Sequence, residues 1–370
     1  ITDPIGNAIH YGYSASGDLV SVTDREGHRT TIGYRSDRAH YLESIHDPLN
    51  REVQRSNYDD NGRLQRVNVH GEALGFSYDI DALVEVVDNP LGQRVEREYN
   101  LLGQVVRTRD TLGAETRFSY DSAGRLSSST DPLGATQSYT YGASREIETY
   151  VNPAGSVTRF VYSSSGHLVS VVDAIGRTTR FELDSKGNRT AVWDASGNVT
   201  RYDLDSRGNV VRIIRPDGLI ETIEYDSSGR RIAQTDVSGI RTQYELNANG
   251  NILSTRLVDL ATQETVLLGS IAYDKNGRVL TETNAAGGVR QYERDALGNE
   301  TRIVEPSGVV IEQVFDAQNN LVSASLANGF HVQQSYHSTG LLESSSVNGF
   351  NRARIEYDAA GRPISSTIGT

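Results

Sequence analysis

The sequence predicts an all-β chain: about 17 tandem 21-residue units, each contributing two short strands to one continuous, coiled antiparallel sheet. Three observations carry this. A tyrosine returns at a fixed 21-residue step along the chain. Every unit holds two turn signals about ten residues apart. The runs left between those turns are about six residues long, a strand length and too short for a helix.

Repeats are read before any single residue. With Tyr120 as phase zero, the phase falls on Tyr78, Tyr99, Tyr120, Tyr141, Tyr162, Leu183, Leu204, Tyr225 and Leu246 in steps of 21. After one step of 27 it resumes at Tyr273, Arg294, Phe315, Tyr336 and Tyr357. Upstream, Tyr58, Tyr34 and Tyr13 continue it with steps of 20, 24 and 21. Of the 19 tyrosines, 12 occupy the phase and 7 lie elsewhere, so residues 1–370 read as a single repeat array.

The first turn of each unit follows the phase residue. "YDDNGR" (58–63), "YDSAGR" (120–125), "YDSSGR" (225–230), "YDKNGR" (273–278) and "YDAAGR" (357–362) place Gly62, Gly124, Gly229, Gly277 and Gly361 four residues after the tyrosine. The second turn reads "DPLG" at 131–134, "NPAG" at 152–155, "DAIG" at 173–176 and "DASG" at 194–197. Asp and Asn bond to their own backbone, Pro presets φ, and Gly accepts positive φ. Asn319 stands where the glycine is expected, and Asn is the next residue to tolerate a left-handed backbone.

Phe76, Phe118, Tyr139, Phe160, Phe181, Tyr202, Tyr244 and Tyr292 sit two residues before the phase, on the same strand face. An aromatic occupies that place wherever the phase residue is Leu183, Leu204, Leu246 or Arg294. Cross-strand aromatic stacking is the expected role of both positions. Two irregular stretches, 35–58 and 251–272, break the spacing, and the second is expected to be a lengthened hairpin.

Some 34 strands at roughly 4.8 Å apart would make a ribbon about 160 Å long. Open twisted sheets rarely exceed about ten strands, so the ribbon must coil, stack or close. A β-propeller is the rival, with four strands in about 42 residues. Its inner and outer strands would impose a double period, and consecutive units here look alike.

Composition bounds the function. Net charge is −12, and the arginines are scattered, which argues against a nucleic-acid partner. There is no Cys, hence no disulfide framework and no thiolate site. No apolar run is long enough to span a membrane. The chain lacks Met and opens inside the pattern, at "ITDPIGNAIHYGY", and is read as a piece of a longer protein.

No catalytic, cofactor-binding or metal-binding residues are assigned, and no enzyme is expected. The 48 acidic residues recur at turns, where a carboxylate accepts backbone N–H groups. "DLDSRG" (203–208) half matches a calcium loop, but Ile214 stands where the bidentate Glu belongs. The 8 histidines form no i, i+4 pair, and no GxSxG is present.

"YDSAGRLSSSTDPLG" and its copies resemble the tyrosine–aspartate (YD) or Rhs repeat over essentially the whole chain. That family includes bacterial Rhs polymorphic toxins, C components of insecticidal toxin complexes, wall-associated proteins and teneurins. The resemblance implies part of a hollow β-sheet shell that sequesters a C-terminal toxin or effector segment of the same polypeptide. Its partners would be that segment and the remaining shell and trafficking domains of a secreted or otherwise exported protein. The alternative it implies is a surface adhesion or ligand-binding array. Self-cleavage at a terminal Asp-Pro-x-Gly motif is not carried over to Asp131, which lies in an ordinary internal unit.

Overall fold

The computed structural model describes residues 1–70, 72–89, 92–143, 145–337, 339–358 and 361–369. It holds 34 strands, from β1 (His10–Tyr13) to β34 (Pro363–Ile368), in a single sheet. Each strand pairs antiparallel with the next in sequence, so the sheet is one unbroken meander. Strands that end on the phase residue are mostly six residues long, as in β11 (Glu115–Tyr120) and β13 (Thr136–Tyr141); those between are mostly five, as in β12 (Leu126–Thr130). Phase turns therefore all lie on one rim of the sheet and second turns all on the other. A propeller is excluded.

Both turns have the same construction. After Tyr120, the Asp121 N–H donates to the Arg125 carbonyl at 2.8 Å and the Gly124 N–H to the Asp121 carbonyl at 3.0 Å. The second turn repeats this with Asp131, Gly134 and Ala135 at 3.0 Å. This is a three-residue hairpin loop whose last residue is left-handed. Gly62, Gly124, Gly229, Gly277 and Gly361 have φ between +76° and +83°, and Asn319 has φ +65°, as the turn chemistry predicts.

The two rims differ in their ladders. Beside the phase residue the register slips by one residue in every phase hairpin except that of β7 (Glu72–Asp79) and β8 (Val84–Asp88). Second-turn hairpins slip only at β4–β5 (Leu42–His46, Glu52–Tyr58), β24–β25 (Ile252–Asp259, Thr265–Tyr273) and β32–β33 (Leu342–Val347, Phe350–Tyr357). A bulge bends its strand and adds twist, and a bulge repeated on one rim curves the whole sheet.

The curvature brings distant rims together. The second turn after β2 (Leu19–Thr23) meets the phase turn after β25: Asn276 accepts the Arg25 N–H at 3.1 Å and donates to Asp24 at 2.8 Å, and the Lys275 N–H donates to Glu26 at 2.7 Å. Gln318, after β29 (Val310–Phe315), donates to the His70 carbonyl, after β6 (Leu64–Val69), at 2.7 Å. Arg362, after β33, lies 3.8 Å from Asp110 at the end of β10 (Val105–Asp110). Each contact spans 23 strands, so the chain makes roughly one and a half turns of a coil about 110 Å around and about 35 Å across.

The coil has little core. Val67, Ala191, Ala233 and Ile303 are the buried apolar residues among those described, and no large side chain is fully buried. The accessible surface is 21766 Å², against about 14,500 Å² for a compact protein of this mass. The 251–272 insertion is absorbed as a longer hairpin, with strands of 8 and 9 residues. The wider step at 35–58 becomes an enlarged phase loop closed by the Arg35 N–H on the Tyr41 carbonyl at 2.9 Å.

Replacing Gly124 by Val forces a β-branched residue to φ +76° and should cost about 1 kcal/mol or more. Gly124→Asn should cost less. Denaturation midpoints of the two variants check this; equal, wild-type midpoints would show that the turn does not require a left-handed residue.

Candidate functional site

The features that could carry function are those that hold the wall open and curved, beginning with the phase tyrosine. The ladder between β12 and β13 stops at the Ser128–Ser138 pair, so the strands part toward the phase rim. In the gap the Tyr141 hydroxyl donates to the Leu126 carbonyl at 2.8 Å. The same bond recurs from Tyr34 to Leu19 (3.2 Å), Tyr58 to Leu42 (3.0 Å), Tyr120 to Val105 (2.8 Å) and Tyr162 to Ile147 (3.1 Å). It continues from Tyr225 to Val210 (3.2 Å), Tyr273 to Ile252 (2.9 Å), Tyr336 to Leu321 (3.0 Å) and Tyr357 to Leu342 (2.9 Å). Each phenol thus ties its unit to the one before.

The remaining phase residues vary the theme, and Leu183, Leu204, Leu246 and Phe315 have no side-chain donor for it. Tyr99 donates instead to Glu85 at 2.9 Å. Arg294 replaces the phenol with its guanidinium, which donates to the Val279 carbonyl. Tyr78 makes no such bond among the described residues, nor does Tyr13, which is 63% exposed on the first strand.

Ring stacking is not the general role of these tyrosines. Among the described residues ring pairs occur at Tyr41–Tyr58, Tyr139–Tyr150 and His337–Tyr357. The stacking expected from sequence is corrected to a hydroxyl-to-carbonyl bond. The signal was present: the position two residues earlier takes Phe and Tyr almost equally, four and five, whereas the phase takes 12 Tyr and a single Phe. A site indifferent to the hydroxyl would not show that bias.

The turn aspartate is the second component. Asp121 Oδ1 accepts the Ala123 and Arg125 N–H groups, each at 2.9 Å, while Oδ2 accepts Arg125 Nε at 2.7 Å. Asn188, Asn198 and Asn209 close the same loop on Asp184, Asp194 and Asp205 through their side-chain amides. Arg125 also lies 4.6 Å over the Tyr141 ring and donates to the Gly142 carbonyl at 3.3 Å, tying turn to rung. Sequence reading gave this fifth residue after the phase no role.

These donors set the electrostatics. The Arg125 amide and then its side chain hold Asp121 below its ordinary pKa. At Asp173 the Arg177 guanidinium is the leading cause, and at Asp184, Asp194 and Asp205 the partner asparagine. At the seam between coil turns, burial alone would raise Asp3, but the Asn7 amide, the Asn249 side chain at 3.1 Å and Arg25 at 3.2 Å outweigh it. Burial raises Tyr162, Tyr273 and Tyr336, which keeps these phenols protonated and donating.

No group of three or more His, Asp or Glu placed to hold a metal occurs among the described residues. Nor is any helix there long and apolar enough to cross a membrane. The arrangement offers a polar wall with turn-lined rims.

Comparison with known proteins places this geometry. Residues 93–247 match the family model described as Teneurin YD-shell, and residues 273–310 match RHS Repeat. No curated protein matches the chain. The crystal structure of TcdB2-TccC3-TEV is similar over 99% of this chain and 25% of its own, with TM-score 0.66 and 12% identity. TcdB2-TccC3-Cdc42 is similar over 98% and 25%, with TM-score 0.61 and 16% identity. The Tc holotoxin pore of Photorhabdus luminescens is similar over 97% and 24%, with TM-score 0.60 and 14% identity. The fold is shared; the chain spans about a quarter of the length of these solved chains.

Two outcomes test the wall chemistry. Tyr141→Phe should lose about 1 kcal/mol, whereas Tyr13→Phe, with no bond to lose, should be near neutral; hydrogen exchange of β12 and β13 with urea midpoints reads both, and equal effects would refute the rung. The carboxyls of Asp121, Asp173, Asp184, Asp194 and Asp205 are depressed on folding, so their contribution is complete above the unfolded value of about 3.9 and is lost as pH falls through the lower folded values. The melting temperature should therefore hold between about pH 7 and 5 and drop below about pH 4; a profile flat to about pH 2.5 would show that these carboxyls do not support the wall.

Proposed function

We propose that this array of YD/Rhs repeats serves as a stretch of shell wall that encloses a toxin or effector segment of its own parent polypeptide. The observation that carries the reading is the coil: one sheet curves through more than a full turn, and its rims meet at polar contacts 23 strands apart. A backbone diameter of about 35 Å leaves room inside for a chain held apart from solvent proteins.

A wall of this kind acts by exclusion. Every strand pairs with its neighbours in one sheet, which leaves a protease little unpaired backbone within the wall, and aspartates such as Asp121 and Asp184 brace the three-residue turns at its rims. The scarcity of buried apolar groups fits a lining that does not bind its contents tightly. The similarity to shells in Tc toxin structures supports the same reading. Such a protein would be delivered outside the producing cell, and its partners would be the enclosed segment and the remaining shell and trafficking domains of the parent.

The experiment is limited proteolysis of the intact parent protein. The enclosed segment should survive added protease at concentrations that digest the same segment made alone. Its rapid digestion while the wall remains whole would overturn the proposal and favour a surface-binding array, which needs no interior.

A further inference from the structure

On one face of β15 to β20 the charge pattern changes. The residue three before the phase is Arg159 in β15 (Val157–Tyr162), Arg180 in β17 (Thr178–Leu183) and Arg201 in β19 (Val199–Leu204), and all three are exposed. Their in-register neighbours are uncharged. Arg159 lies between Thr149 and Val172, Arg180 between Ser170 and Trp193, and Arg201 between Ala191 and Ile214. None of the three makes an ion pair or hydrogen bond among the described residues, whereas Arg117, at the equivalent place two units before Arg159, is tied to Glu115 at 2.8 Å.

The sole tryptophan of the chain stands in this patch. Trp193, at the end of β18 (Arg189–Trp193), pairs directly with Arg180, and the Arg201 guanidinium lies 5.8 Å over its ring. The indole N–H donates to Glu182 at 2.7 Å, which occupies the nearest carboxylate. Asp203, beside Arg201, is engaged by Arg212 of β20 (Val210–Ile214) at 3.3 Å. An open hollow of about 450 Å³ adjoins the indole, bordered by Ile175, Arg177, Arg180, Trp193 and Asp194, whose carboxylate is engaged by Asn198 within its own turn.

We propose that this face binds an extended acidic peptide segment, with Arg159, Arg180 and Arg201 pairing its carboxylates and Trp193 seating an apolar side chain between them. Guanidinium groups with no internal ion pair or hydrogen bond meet carboxylates in a charge-assisted, bidentate geometry. Successive arginines lie two strands apart and two residues offset, a diagonal of about 12 Å. In an extended peptide, side chains four residues apart on one face are about 13 Å apart. The patch is a local reversal of charge in a chain of net charge −12, so it selects for acidic partners that the rest of the surface repels. The inference stands on this patch alone and holds whether the face lies inside or outside the shell.

The single tryptophan supplies the readout. Titrating the full chain with poly-L-glutamate at low salt should change Trp193 fluorescence saturably, and the response should weaken as salt rises toward about 0.3 M. The double variant Arg180→Gln/Arg201→Gln should bind about tenfold more weakly, Arg117→Gln should bind as the parent does, and Glu182→Gln should bind more tightly. Melting curves confirm that each variant is folded; Glu182→Gln, which predicts a gain, keeps the test open should the double variant unfold. No saturable response, an equal response to poly-L-lysine or single-stranded nucleic acid, or undiminished binding by the folded double variant would overturn the proposal.

Discussion

The bond on which the wall depends runs from a phenol to a carbonyl that the strand ladder cannot serve. Between units the strands separate toward the phase rim, where their pairing ends early, as at Ser128–Ser138 between β12 and β13. A parted edge would leave a carbonyl short of a donor, and an unsatisfied backbone group in a half-buried place is costly. The tyrosine closes the gap without closing the angle, since its ring holds the strands apart while its hydroxyl joins them. A direct backbone bond would flatten the sheet. The phenol is therefore both spacer and tie, and a curve of small steps accumulates over the units.

Stability is accordingly distributed. With few buried apolar side chains, the described residues form no central core whose loss would unfold the whole chain. Each unit contributes its own ladder and its two hairpin turns, many braced by an aspartate, and most add a rung to the unit before, in the manner of a one-dimensional repeat array. Arg125 shows how these parts interlock: one side chain holds the turn aspartate, covers the next rung and reaches the next turn. The seam is also polar, made by Asp3, Asp24, Asn249 and Asn276 rather than by an apolar strip.

The strand pattern and its continuity were legible in the sequence because both are local: turn residues at fixed offsets specify hairpins, and hairpins in series specify a meander. Asn319 shows how far this reaches, since its left-handed backbone follows from residue chemistry alone. The function of the phase tyrosine was half legible. Its spacing was plain, but its hydroxyl mattered more than its ring, and only the contrast with the freely exchanging Phe and Tyr two residues earlier reveals it. Arg294 points the same way, because its guanidinium keeps a donor to the earlier carbonyl where the phenol is lost. The seam was not legible, as it joins residues some 250 positions apart through a curvature that is the sum of many small register slips. The patch around Trp193 was hidden for a related reason: only the pairing register shows that three scattered arginines share one face and lack acidic neighbours.

The seam offset of 23 strands is an odd number, and this sets how such a wall can grow. An odd offset always lays a phase turn on a second turn, never like on like. Gain or loss of one whole unit shifts the contact by two strands and keeps that rule. A duplicated or deleted unit thus lengthens or shortens the wall while every seam contact still joins the same two kinds of turn. Half a unit would reverse strand direction and set like against like. The repeat is in this sense the smallest indivisible increment of length, and the wall can be lengthened one 21-residue insertion at a time without redesigning the joint.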